Sequence, residues 1–287
     1  MPMKNVLELF LQMALVLFIA GSLFEMGLRV PLRDAFAALG DWRFAAATVL
    51  WGFVFCPALG IVLTWIVPLD PSHASGLRLL AMAPAAPFLP VVAARAGGEL
   101  AYAAAFLVVA TIGTVVFMPI AVPKLVTGFT ADPWAIARPL LTLIAAPLIA
   151  GAALQAAAPR AAARMRPLLR ALTAVATLQV VVLIAFLYGR DFLGAIGTYA
   201  IATQCAFLAL ATAGAYFLTP GVPDVRKRVL ALGLCTRNIG AAAAPLLAAG
   251  ADRRAMVMVA LAIPTTAAGA ALVSRWFSRR DDRRRVP

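Results

Sequence analysis

The sequence predicts an all-α, polytopic membrane protein of nine transmembrane helices, folded as a single unit over residues 1–287. Three observations predict it. Residues are 63% hydrophobic and only 13% charged, whereas a soluble domain averages roughly 45–50% apolar and about 25% charged. The apolar residues gather into runs of about 20, the length an α-helix needs to cross the hydrocarbon core of a bilayer. The basic residues behind the net charge of +13 sit at the ends of those runs, the pattern of the positive-inside rule. That placement excludes a nucleic-acid footprint. The expected partners are the lipid bilayer and a small solute, with no obligatory protein partner.

The first run, Val6–Leu28, is longer than the roughly 7–15 residues of a signal-peptide core and has no clear small-residue cleavage site, so it is expected to remain as a span. Phe44–Val67 follows. The third run, Gly76–Val92, opens with Arg78, expected to snorkel to the headgroups. It continues LLAMAPAAPFLPVV, with Pro84, Pro87 and Pro90 at intervals of three. Each proline removes an amide donor and crowds the preceding turn, so this helix is predicted to break at mid-depth. Leu100–Val122 comes after the glycine turn AARAGGE. Pro139–Ala156 and Leu168–Tyr188 flank the basic segment around Arg160. Thr198–Leu218 carries Gln204, for which an interhelical hydrogen bond is expected. Val229–Ala249 is apolar except for Thr236, Arg237 and Asn238 near its centre, with Gly240 and Pro245 beyond. It too is predicted to be discontinuous. Ala255–Phe277 leads into the arginine-rich tail SRWFSRRDDRRRVP, expected in the cytoplasm, which places the N-terminus outside and the chain in the inner (cell) membrane as a multi-pass protein.

Broken backbone at membrane depth survives only where it is buried in protein or lines a wet cavity. Interrupted spans at corresponding places in two halves of opposite direction are the best sequence pointer to a secondary transporter's site. The three cysteines are widely spaced within apolar runs, and the chain has one histidine, His73. No catalytic triad or metal constellation can be assembled from these. No enzyme activity and no cofactor are expected.

The segments GSLFEMGLRVPLRDAFAALGDWR, APAAPFLPVVAARAGGELAYA and CTRNIGAAAA resemble the bile acid:sodium symporter family, nearly end to end. The resemblance implies ten helices in two inverted repeats of five, or nine when the first is absent. This chain is expected to start at the family's second helix. It implies a panel domain over 6–28 and 139–188, and a core domain over 44–122 and 198–277 in which the two broken helices cross. It also implies two sodium ions near the crossing in coupled members, and here the chain departs from the pattern. The family's ligand positions fall at Leu89, Pro90, Ala103, Leu107, Gly233 and Arg237, with Gly52 near a further one; of the second motif only Asn238 and Gly240 persist. Sodium is a hard cation that needs oxygen ligands. Leu, Pro, Ala and Gly side chains offer none, and a guanidinium only donates. No sodium is therefore expected there.

A charge at bilayer depth costs about 3 kcal/mol or more. Two roles fit Arg237. It is a fixed counter-charge for an anionic substrate, with Thr236 and Asn238 supplying hydrogen bonds and Phe88 and Pro87 lining the same site. Or it is a structural lock, paired with Glu25 or with carbonyls orphaned by the prolines. Glu25 is either a snorkelling carboxylate or a proton-coupling one. The expected function is a secondary transporter of a small organic anion, carboxylate or bile-acid-like, working by alternating access without the usual sodium sites. The alternatives are a sodium symporter with non-standard ligands and a non-transporting sensor or scaffold locked by Arg237.

Overall fold

A computed structural model describes residues 2–29, 32–126, 132–248 and 253–285. Among them the chain is helical throughout: α1 Pro2–Gly27, α2 Leu32–Ala38, α3 Trp42–Leu50, α4 Cys56–Ile66, α5 Pro71–Ala81, α6 Leu89–Arg95, α7 Leu100–Leu125, α8 Pro133–Leu140, α9 Ala146–Ala157, α10 Pro159–Ala195, α11 Ala200–Phe217, α12 Asp224–Cys235, α13 Ile239–Ala248 and α14 Arg253–Arg285. One turn of π-helix joins α3 to α4 (Trp51–Phe55) and another joins α8 to α9 (Leu141–Ala145). Each lies just ahead of a proline, Pro57 or Pro147. The missing amide and the bulk of the ring are relieved by widening the preceding turn.

Seven of the described segments are long and apolar enough to cross a membrane: Val6–Gly27, Trp42–Ile66, Leu100–Leu125, Pro133–Ala157, Pro159–Ala195, Ala200–Phe217 and Arg254–Asp281. The third and eighth apolar runs are not continuous helices. They are the pairs α5/α6 and α12/α13. Against the nine spans expected from sequence, the described residues hold seven helices long and apolar enough to cross.

Three features differ from the sequence-based expectation. The basic segment between the fifth and sixth runs is helix, so α10 runs 37 residues. Its first residue is Pro159, at the helix start where a missing amide costs nothing. The C-terminal tail continues α14 as helix to Arg285. Arg78 does not snorkel. It is 9% exposed, donating from Nε to Thr64 Oγ1 (3.0 Å) and from Nη1 to the Leu125 carbonyl (3.0 Å). It ties α5 to the ends of α4 and α7.

Helix α1 packs chiefly on α9 and α10. The approach to α9 is closed by Gly27 and Gly151: a Cβ on Gly27 would lie 2.4 Å from the Leu148 carbonyl oxygen, and one on Gly151 2.3 Å from that of Phe24. Small residues allow such close backbone packing in membranes, where dispersion must do the holding. Elsewhere α14 packs on α5 and α11, and α11 on α12. Gln204 makes the expected interhelical bond, from Nε2 to Thr265 Oγ1 on α14 (3.0 Å).

Basic residues at one end of the bundle are clamped rather than loose. Arg228 is 4% exposed and bonds Asp224 (2.8 Å), Asp281 (2.6 Å) and the Ala96 carbonyl (3.0 Å). Arg226 bonds Asp41 (2.7 Å) and lies 4.2 Å over the Tyr102 ring. This is the arginine-rich end.

Candidate functional site

The two breaks meet. Pro84 and Arg237 form an isolated antiparallel bridge. The Ala85 amide donates to the carbonyls of both Gly233 and Thr236 (3.0 Å each), and the Asn238 amide to that of Ala83 (3.0 Å). Carbonyls freed by the end of α12 are thus satisfied by an amide freed by the end of α5. Ala85 sits at φ +62°, a left-handed conformation that costs a non-glycine residue roughly 1–2 kcal/mol. Its doubly used amide holds it there. Asn238 caps α13: its Oδ1 accepts the Ala241 amide at 3.0 Å. Thr236 is fully buried. Its hydroxyl donates to the Leu232 carbonyl (2.9 Å) and accepts from the Ala86 amide (3.4 Å).

Arg237 is 1% exposed. Its Nη2 lies 3.1 Å from Cys56 Sγ on α4, and its Cζ is 4.7 Å from the ring centroid of Phe207 on α11. Nε and Nη1 have no hydrogen-bond partner among the described residues. The expected pairing with Glu25 is not formed, and the guanidinium bonds no carbonyl of the first break. The electrostatic compensation is of another kind. The carbonyl ends of α5 and α12 converge on the break, each worth about half a negative charge. The face of Phe207 adds a cation–π contact.

Beside the crossing lies a cavity of about 820 Å³. Helices α1 and α10 form one wall, and the breaks, α6 and α14 the other. Of the residues singled out in sequence, Arg237, Asn238, Pro87, Phe88, Pro90, Gly240 and Glu25 border it. Phe88 is the prominent apolar group, 41% exposed. Thr236, Pro84, Leu89, Ala103, Leu107 and Gly233 do not border it. Leu89, Ala103 and Leu107 are core residues. Gly233 faces the Phe106 ring, 2.7 Å from where its Cβ would stand. Phenylalanine thus fills the volume a longer side chain at position 233 needs.

Sequence reasoning missed the charged mouth of the cavity. Glu25 forms an ion pair with Arg29 and lies 3.4 Å from Thr173 Oγ1 of α10. Arg170, Thr173 and Thr177 border the same space. Their three- and four-residue spacing puts them on one face of α10, and that polar stripe was the available signal. A second cavity of about 310 Å³ holds Glu8 and Gln12 in its wall and shares Phe18, Val180, Ile239 and Ile263 with the first.

A family model described as Sodium Bile acid symporter family matches residues 14–196, from within α1 to just beyond α10. The match covers the first break and the cavity's α1 and α10 wall, and ends ahead of Arg237. A comparison with curated proteins finds no match.

Proposed function

The chain belongs to the sodium bile acid symporter family, and on that premise we propose that it is a secondary transporter of a small amphipathic organic anion, with no sodium at the family's usual positions. The observation that carries this reading is the cavity of about 820 Å³ between the α1/α10 wall and the crossing. Ligand sites are typically of about 300–1,000 Å³, mostly apolar, with a few convergent polar groups. Here Phe88, Met26 and Ile19 supply apolar wall, and Arg29 and Arg170 supply positive charge at the mouth. A membrane scaffold locked shut needs no such space beside its broken helices.

Substrate moves by alternating access, the core (44–122 and 198–277) rocking against the panel (6–28 and 139–188). The protein sits in the inner membrane with its C-terminus and arginine-rich end in the cytoplasm. At the crossing, Leu89, Pro90, Ala103, Leu107 and Gly233 offer no side-chain oxygen, and the buried guanidinium of Arg237 would repel a neighbouring cation at low dielectric. Arg237 takes the electrostatic place of the ions. It answers the converging carbonyl ends and keeps the two breaks together. Its guanidinium rests on Cys56 and Phe207, so it acts on a substrate through its field rather than by direct contact.

The test is uptake of labelled carboxylates, from benzoate to cholate, into proteoliposomes. Native protein is expected to concentrate or exchange at least one of them. Phe88→Trp, which sets a larger ring in the cavity beside the crossing, is expected to reduce that flux with an unchanged melting temperature. Background flux across the whole panel contradicts the carrier reading.

A further inference from the structure

Deepening the carrier reading and resting on it, one cluster assigns where the substrate's charged group sits. Glu25 and Arg29 are one turn apart near the end of α1 and form an ion pair. The Thr173 hydroxyl of α10 lies 3.4 Å from the other oxygen of Glu25 and 3.1 Å from the Arg170 carbonyl, two acceptors for its one proton. Arg170, one turn earlier on α10, borders the same cavity and is exposed. Its side chain has no hydrogen-bond or ion-pair partner among the described residues. The mouth thus holds two guanidinium groups and one carboxylate. The carboxylate side chain is 15% exposed and that of Arg29 is 40% exposed, so the pair is only partly buried and its members separate at modest cost.

We propose that Glu25 is a tethered stand-in for the headgroup of a carboxylate or sulfonate substrate. Between substrates it occupies Arg29 and the Thr173 hydroxyl. An incoming anion is drawn by the unpaired Arg170, takes Arg29 and Thr173 from Glu25, and leaves Glu25 to solvent. A guanidinium fork fits a carboxylate or sulfonate in bidentate fashion. The substrate's apolar body then extends inward along Met26, Phe88 and Phe18 toward the crossing. The arrangement favours an amphipathic monoanion, charged at one end only, because the inner part of the cavity adds no exposed cation. An internal competitor lowers apparent affinity by the fraction of time it holds the site, which gives a carrier a reason to keep one: a bound substrate must also leave.

The stand-in makes a prediction of unusual sign. Glu25→Gln keeps the shape and the Thr173 contact but releases Arg29, and cholate is expected to bind roughly three- to tenfold more tightly. Arg170→Gln is expected to weaken it by a similar factor. Cholate binding is measured by equilibrium dialysis with protein in nanodiscs, with the uncharged methyl ester of cholate as control. The ester should be indifferent to both substitutions. A purely structural Glu25–Arg29 pair predicts weaker or unchanged binding and a lower melting temperature for Glu25→Gln, and that result overturns the proposal. Should Glu25→Gln not fold, Glu25→Asp, whose shorter reach withdraws it from Arg29, carries the same expectation of tighter binding. Cholate binding indifferent to every substitution overturns the subsite alone. Failure of the native chain to bind cholate, decanoate or benzoate removes the carrier reading with it.

Discussion

Arg237 shows what one residue carries and how little of that is visible in its neighbours along the chain. Its depth was legible: a lone guanidinium midway along an apolar run, next to Asn238 and ahead of Gly240, marks a break. The direction of its side chain was not, because that depends on which faces of α4 and α11 stand opposite. The partners are Cys56 and Phe207, a thiol and an aromatic ring that read as ordinary apolar core. Arg237→Ala removes a buried cation, a ring contact and most of a side chain's volume from a tight site. The expected cost is about 2–4 kcal/mol, which at roughly 2–4 °C per kcal/mol for a chain of this size lowers the melting temperature in detergent by about 5–15 °C. An unchanged melting temperature would mean that the guanidinium holds nothing together. Gly233 makes the companion case. Its Cβ would stand 2.7 Å from Phe106, so Gly233→Ala is expected to cost about 1–3 kcal/mol by overpacking, read as loss of thermal stability. In a double-mutant cycle, the cost of Gly233→Ala should shrink when Phe106→Ala has already removed the ring.

At the scale of elements, the two broken helices were legible because proline spacing and buried polarity act locally. Pro84, Pro87 and Pro90 cannot share one regular helix, and Asn238 is a ready cap. Asn238→Ala removes the bond to the Ala241 amide and should cost about 1 kcal/mol, as helix caps do, measured by denaturation in mixed micelles. What stayed hidden was any feature set by how one helix faces another. The basic segment before the sixth run falls outside the expected span, because charge and Pro167 mask a helix that continues through them. The Arg170–Thr173–Thr177 stripe on α10 borders the cavity, a placement that depends on how α10 faces α1 and α14. The thin partition between the two cavities belongs to the same class. It consists of Phe18 from α1, Val180 from α10, Ile239 from α13 and Ile263 from α14, residues that share no sequence signal. Phe18 has the largest of these side chains. Phe18→Ala is expected to join the cavities, so that proteoliposomes carrying it leak small anions without added substrate. A variant as tight as native protein would place the barrier elsewhere.

Over the whole molecule, a composition that only a bilayer can solvate fixes an all-helical fold, and a small number of polar contacts fix its arrangement. At the arginine-rich end, Asp224 is shared by Arg228 and Tyr216 (2.8 and 2.5 Å), and Asp281 brings in α14. Burial alone would raise the Asp224 pKa, but the hydrogen bonds from Tyr216 and Arg228 outweigh it and hold the carboxyl below the ordinary value of 3.8. A group depressed in the folded state stabilises it at pH above the ordinary value and loses that contribution as pH falls through the folded value. The clamp should therefore be indifferent to pH between about 5 and 8 and weaken only in acid below about 4, seen as a falling melting temperature that Asp224→Asn removes. The most direct measurement concerns the crossing, where the proposed function sets the buried guanidinium of Arg237 in the place of sodium. Labelled cholate uptake into proteoliposomes is compared with a sodium gradient and with sodium replaced throughout by N-methyl-glucamine. The expected result is the same initial rate in both. A rate that rises with external sodium and saturates would place sodium at the crossing after all and contradict a guanidinium in its stead.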